Sequence, residues 1–294
     1  MAEISVVDLS RYQVKPTSPP GTFDFQMLKA QDVGGVIYRA TCQPTSGYIF
    51  KDYRFDDYIA HNDQVPCLGY YLAVRLEKDI IMQVEYYLNA VKNAPVNRAW
   101  VDIEGSGPGL PAQTSLNRLL DMLTRLEAAT GVIPGIYTRQ EWYDIYIAPS
   151  PLVKYYPLWV ARYYDFTTSL GGPWGDGYRK FRDWDDWTGW QYTDRADGIA
   201  HGAESYELDK NVFKDIVAVP PTPQPEPAGF KMKVTASALN VRSGPGTNYS
   251  IVGLLHAGDV VKVLDIGGTS AWVEFEPGKW AAVQYNATRY MEAA

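Results

Sequence analysis

From Val219 to Gly229 the chain reads Val-Pro-Pro-Thr-Pro-Gln-Pro-Glu-Pro-Ala-Gly, five prolines in eleven residues. Each proline fixes φ, lacks an amide donor and pushes the residue before it toward extended backbone. Neither a helix interior nor a central strand can cross such a stretch. An extended, semi-rigid spacer is therefore expected at 219–229, separating residues 1–218 from residues 230–294. No apolar run on either side approaches the roughly 20 residues that span a bilayer, so no membrane insertion is expected. The net charge of −7 speaks against a nucleic-acid partner.

In the first part, extended apolar segments alternate with helical patterns. Strands are expected at 4–9, 35–40, 67–74, 99–104, 133–138, 157–163, 188–193 and 204–209. Between the third and fourth, Ile80, Ile81, Val84, Tyr87, Leu88 and Val91 recur at helical spacing; between the fourth and fifth, Leu116, Leu119, Leu120, Leu123 and Leu126 do so. Thr114 or Ser115 is placed to cap that second helix and Gly131 to stop it. Shorter helices fit 24–32, 54–62 and 139–147, whereas 164–187 is too rich in Gly, Trp and Asp to be one. Eight strands with intervening helices predict an α/β fold: a parallel (β/α) barrel of the TIM type, irregular in its last third.

Barrels of this type carry their chemistry at the C-terminal strand ends. There the sequence places Asp8, Arg39, Tyr70 or Tyr71, Asp102 with Glu104, Tyr137, Arg162, Gln191 with Tyr192, and Asp209. The fourth strand, Ala99-Trp100-Val101-Asp102-Ile103-Glu104, ends in two carboxylates two residues apart before Gly105-Ser106-Gly107-Pro108-Gly109 breaks it. Alternation puts Trp100, Asp102 and Glu104 on one face. Repulsion and burial would raise at least one of the two pKa values, which a general acid needs. Alone, such a pair also suits a strand end facing water. Convergence of eight polar strand ends on one mouth favours a site.

The last part reads as short strands at 234–236, 239–242, 251–255, 260–264, 271–275 and 279–283, with turns at Ser243-Gly244-Pro245-Gly246 and Gly267-Gly268. It holds no acid pair or nucleophile set, so a small β barrel that binds is expected. His61, His201 and His256 lack ligand spacing, and Cys42 and Cys67 read as reduced core thiols, so no metal or other cofactor is expected. The same shortage tells against a peptidase or amidase. Twenty-two tyrosines and nine tryptophans suit stacking on sugar rings.

Six segments carry a resemblance: Val7-Asp8-Leu9-Ser10-Arg11-Tyr12-Gln13, the Asp102-x-Glu104 strand end, Gly135-Ile136-Tyr137-Thr138, Leu158-Trp159-Val160-Ala161-Arg162-Tyr163, Trp190-Gln191-Tyr192-Thr193 and Glu207-Leu208-Asp209-x-Asn211-Val212-Phe213. In this order, over about residues 4–215, they resemble the glycoside hydrolase family 25 lysozymes, the N-acetylmuramidases. Leu239-Asn240-Val241-Arg242-Ser243-Gly244-Pro245-Gly246-Thr247-Asn248-Tyr249 resembles the bacterial SH3 domain, a cell-wall-targeting module. Together they look like a phage endolysin. The segment 165–187, with Trp174, Trp184 and Trp187, is longer than the family pattern.

The resemblance implies endo-hydrolysis of the β-1,4 bond from N-acetylmuramic acid to N-acetylglucosamine in bacterial peptidoglycan, with retention. Glu104 would be the general acid. Asp102 would either attack the anomeric carbon or orient the substrate's own 2-acetamido group, and the second is preferred because the two carboxylates are close neighbours on one face. Asp8 and Asp209 would support charge and sugar hydroxyls. Tyr70, Tyr137, Arg39, Trp159, Arg162 and Gln191 would bind substrate, with Tyr70, Tyr137 and Trp159 as stacking platforms. The N-terminus shows no secretory signal, so a host-cytoplasmic protein that acts on the wall after release is expected. A wall-binding protein without activity, or a hydrolase of chitin-like glycans, are the alternatives.

Overall fold

A computed structural model describes residues 3–95, 98–163, 172–175, 180–214, 231–244, 246–262, 265–267, 272–276, 278–282, 284–285 and 288–293. The chain divides into two compact units, Met1–Val219 and Pro220–Ala294. The proline stretch lies outside the described residues.

In the first unit the elements run β1 (Glu3–Leu9), α1 (Phe25–Ala30), β2 (Gly35–Cys42), β3 (Phe50–Lys51), α2 (Phe55–His61), β4 (Cys67–Ala73), α3 (Ile80–Val91), β5 (Ala99–Asp102), α4 (Ala112–Thr130), β6 (Gly135–Thr138), α5 (Gln140–Tyr146), β7 (Leu158–Ala161), β8 (Gly189–Asp197) and β9 (Glu207–Lys214). The sheet order β1-β9-β8-β7-β6-β5-β4-β2 closes through a β1–β2 pairing, so eight strands form a barrel and β3 hangs from β2. Asp24 and Asp79 cap α1 and α3 by accepting from backbone N–H groups one turn on, at 2.9 Å and 3.0 Å. Gly131 ends α4 in the left-handed region, at φ 70°. That helix begins a turn earlier than Thr114 or Ser115 could cap; it follows Pro111, and Ser115 is buried inside its first turn.

One strand departs from the parallel barrel expected. β9 runs antiparallel to both its neighbours, β8 and β1. It also spans 207–214 rather than 204–209. A parallel return needs a crossover of a dozen or more residues, usually a helix, and only residues 198–206 separate β8 from β9. The chain turns back through one short helical turn, Ile199–His201, instead.

Period-2 alternation sorts the side chains. Outward residues such as Val7, Tyr38, Tyr70, Val101, Val160 and Trp190 meet the helices in the large core, while Val6, Ile37, Trp100, Tyr137, Trp159 and Phe213 fill the barrel interior. Glycines make room for the interior rings. Trp100 pairs across the ladder with Gly135, where a Cβ would stand 2.2 Å from the indole. Because Trp100 is itself fully enclosed, Gly135→Ala should cost about 1–3 kcal/mol by overpacking and lower the melting midpoint by several degrees. A calorimetric scan that leaves the midpoint unchanged would show that the barrel floor yields.

The second unit is all β. Its strands are β10 (Lys231–Val234), β11 (Ala238–Arg242), β12 (Ile251–His256), β13 (Val260–Lys262), β14 (Asp265–Gly267), β15 (Trp272–Glu276), β16 (Lys279–Ala282), β17 (Gln284–Tyr285), β18 (Thr288–Arg289) and β19 (Met291–Ala293). A five-stranded sheet, β12-β11-β16-β15-β14, and a three-stranded one, β13-β10-β19, enclose Met232, Val234, Leu239, Trp272, Val273 and Met291. The expected hairpin at Gly267-Gly268 lies partly outside the described residues.

Candidate active site

Because β9 is antiparallel, its first residues, not its last, reach the mouth formed by the C-terminal strand ends. Asp8 on β1 and Asp209 on β9 are ladder partners, set side by side by the register. Asp8 is buried and accepts from Gln191 Nε2 at 2.9 Å and from Asn211 Nδ2 at 3.1 Å. Gln191 in turn accepts from the Tyr137 hydroxyl at 2.7 Å and from that of Tyr163. Asn211 Oδ1 accepts from Trp159 Nε1 at 2.8 Å. Tyr137 and Trp159 thus orient the two amides that donate to Asp8, fixing which end of each amide is which. Burial raises the Asp8 pKa against the lowering effect of these donors and Arg39. Burial and then the Asp8 charge push Asp209 up as well.

Asp102 ends β5 with only 7% of its surface exposed, facing inward from the same strand face as Trp100. Its Oδ1 is enclosed and has no hydrogen-bond partner among the described residues. Burial first, then the charges of Glu104 and Asp8, hold its pKa well above the usual carboxylate range, opposed by Arg39 and Arg139. Glu104 lies two residues on, past the strand end, with 39% of its side chain exposed and Arg139 Nε 3.8 Å away. Burial raises its pKa, Arg139 opposes, and Asp8 adds to the rise. The sequence leaves open which of the two carries the stronger upward push. The structure places it on Asp102, because the deeper carboxylate loses more hydration.

Arg39 also belongs to this mouth, but it is spoken for. Its Nε donates to Asp52 Oδ2 at 2.8 Å, and Asp52, fully buried, further accepts from the backbone N–H of Arg11 and Arg54. Though paired in this way, it still opposes the rise at Asp8 and Asp102, without outweighing their burial.

Three expected substrate contacts are corrected. Tyr70 is wholly buried on the outer face of β4, against Tyr38 and Phe55. Its neighbour Tyr71 is the inward residue, meeting Trp159 edge-on and sensing Arg39, Asp8, Asp102 and Asp209. Trp159 is inward but 1% exposed, packed among Trp100, Tyr137 and Phe213, so it forms floor rather than a stacking platform. Arg162 follows the end of β7 and turns to α5, donating to Gln140 Oε1 at 2.9 Å and lying 3.5 Å from Glu141. Trp184 and Trp187, from the long segment, are buried in the outer core. Residues 164–171 and 176–179 of that segment lie outside the described residues. Asp8, Arg39, Asp102, Glu104, Tyr137, Gln191 and Asp209 are brought together with Tyr71, the alternative to Tyr70, and are joined by Asn211, Tyr163, Asp52 and Arg139, to which the sequence assigned no role. Asn211 could have been found: it shares Asp209's face two residues on.

The glycosyl hydrolases family 25 model matches residues 7–199, and a bacterial SH3 domain model matches 237–290. The chain belongs to glycosyl hydrolase family 25. Its barrel is similar to that of a muramidase from Acremonium alcalophilum, at 23% identity and TM-score 0.56 over 73% of this chain and 95% of that one. A family 25 glycosyl hydrolase from Bacillus anthracis aligns at 22% identity and TM-score 0.54, over 72% and 89% of the two chains. The lysozyme from Streptomyces coelicolor aligns at 22% identity and TM-score 0.57, over 72% and 92%. No curated protein matches the chain in sequence. As a family 25 glycoside hydrolase, the protein carries at its barrel mouth one carboxylate deep in the wall and one at the rim. That arrangement favours a protonated carboxyl at the mouth, which can deliver its proton to a bond lying across the opening.

Proposed function

We propose that the enzyme is an endo-acting N-acetylmuramidase, cleaving the β-1,4 bond from N-acetylmuramic acid to N-acetylglucosamine in bacterial peptidoglycan with retention, and that its SH3 domain holds it to the wall. The observation that carries this reading is the difference in depth between Asp102 and Glu104. Glu104, at the rim, protonates the leaving oxygen. The inward-facing carboxylate of Asp102, 7% exposed, suits the N–H of a 2-acetamido group, whose carbonyl oxygen then attacks the anomeric carbon as the bond breaks. Water opens the resulting oxazolinium ion and returns its proton to Glu104. Substrate-assisted hydrolysis of this kind is an established exception to the two-carboxylate scheme.

The depth difference also gives the proton a route. In the empty site, burial favours protonated Asp102. An N–H donor to its carboxylate favours the ionised form instead. Binding of the acetamido group therefore drives protonation toward Glu104, where the leaving oxygen needs it.

The names of the structural neighbours, muramidase and lysozyme, support the substrate class. The direct test is product identity. Purified peptidoglycan digested by the full chain should release reducing ends that borohydride converts to muramicitol, with little release from chitin oligomers. Glucosaminitol, or faster release from chitin, would overturn the bond assignment, and binding without new reducing ends would make this a wall-binding protein.

A further inference from the structure

Beside the mouth lies a cleft of about 420 Å³ that the mechanism above does not use, walled by Arg11, Tyr12, Lys15, Tyr53 and Glu204. Its size suits one or two sugar or amino-acid residues. Two of its walls are open rings: Tyr12 is 65% exposed and Tyr53 47%. It is continuous with the acid cluster, because the Tyr12 ring is the one over which the Arg39 guanidinium lies, at 5.0 Å.

Arg11 is the unusual member. Its backbone is pinned on both sides, the N–H to Asp52 at 3.0 Å and the carbonyl by the Tyr53 hydroxyl at 3.1 Å. Its guanidinium sits 4.6 Å from the Phe50 ring centre and 5.2 Å from that of Tyr12. Among the described residues no carboxylate lies within ion-pair distance of it. Lys15 adds a second exposed cation. The cleft's own carboxylate, Glu204, is engaged by the Lys15 N–H at 2.8 Å and the Ser18 hydroxyl at 2.7 Å, with its charge offset by Lys15 and Arg54. A guanidinium stacked on rings, with one Nη2 bond to the Tyr12 hydroxyl at 3.4 Å and its other donors unengaged by any carboxylate, is preorganised for one.

Resting on the peptidoglycan reading, we propose that this cleft binds a carboxylate of the peptide carried by N-acetylmuramic acid, with Arg11 as its receptor and Tyr12 and Tyr53 stacking on the adjoining chain. The site would then read peptide-bearing strands as distinct from bare glycan.

The test measures binding in the full chain carrying Glu104→Gln, by calorimetry on soluble peptidoglycan strands with and without their peptides. Adding Arg11→Gln should weaken binding to peptide-bearing strands about tenfold, the scale of a lost charge-assisted hydrogen bond, and leave peptide-free strands unchanged. The SH3 domain is common to both proteins and cancels. Equal weakening on both strands, or none on either, would overturn the proposal. The muramicitol assay on the wild-type chain judges the cleavage reading separately.

Discussion

Glu104→Gln should leave the fold intact and reduce release of reducing ends from purified peptidoglycan by roughly 100- to 10,000-fold, the usual contribution of a positioned general acid. Glutamine keeps the shape of the side chain and cannot give up a proton. The group is partly exposed and its ion-pair distance to Arg139 is a loose 3.8 Å, so little of the barrel depends on its charge. Wall binding, measured by sedimentation with intact walls, should persist. A variant that clears walls at near the wild-type rate would remove Glu104 from the mechanism altogether.

Asp102→Asn is expected to move activity and stability in opposite directions. Activity should fall about 100-fold or more, since the residue proposed to orient the acetamido group loses its charge. Stability should rise. A carboxylate whose folded-state pKa is raised is charged more readily in the unfolded chain than in the folded one. Its destabilising effect is absent below the usual carboxylate range and grows as pH climbs from there toward the folded value. At neutral pH the wild type carries that cost and the asparagine variant does not. A gain on the order of 1 kcal/mol, or about 2–4 °C for a domain of this size, is the scale of such trades between site and stability. The gain should shrink as pH is lowered toward 4. Melting curves across that range decide it: a variant that melts lower than wild type at pH 7 would mean that the Asp102 charge is stabilising where it lies.

Much of this site could be read in the sequence because period-2 alternation is a strict rule inside a strand. It put Asp102 with Trp100 on the inner face of β5, and the closed barrel brought Asp8 and Asp209 to the same mouth. Where alternation gave no phase, the reading went astray. Tyr70-Tyr71 offers the same ring to either face, and only the neighbours on β2 and β5 decide that Tyr71 points inward. Arg162, by contrast, was misplaced against the rule: it stands two residues after the outward Val160, with its N–H still bonded to Gln191 O, and the acceptors on α5 take it. Trp159 was correctly inward, but depth along a strand is a property of the closed barrel, in which rings from four strands meet. Asn211 was overlooked because the last strand was ended at Asp209. Its apolar pattern is interrupted by the very polar residues that serve Asp8.

The returning strand β9 has one more consequence, which concerns synthesis. Asp8 is held by partners 183 and 203 residues away in sequence, one of them on the strand that closes the barrel. On the ribosome, the first carboxylate of the site emerges long before the amides that orient it, which appear only as the end of the domain is made. A nascent or prematurely terminated chain holds the Asp102–Glu104 pair without the ring of groups around it. Completion of the domain and assembly of its chemistry are thus one event, and incomplete copies are born inert.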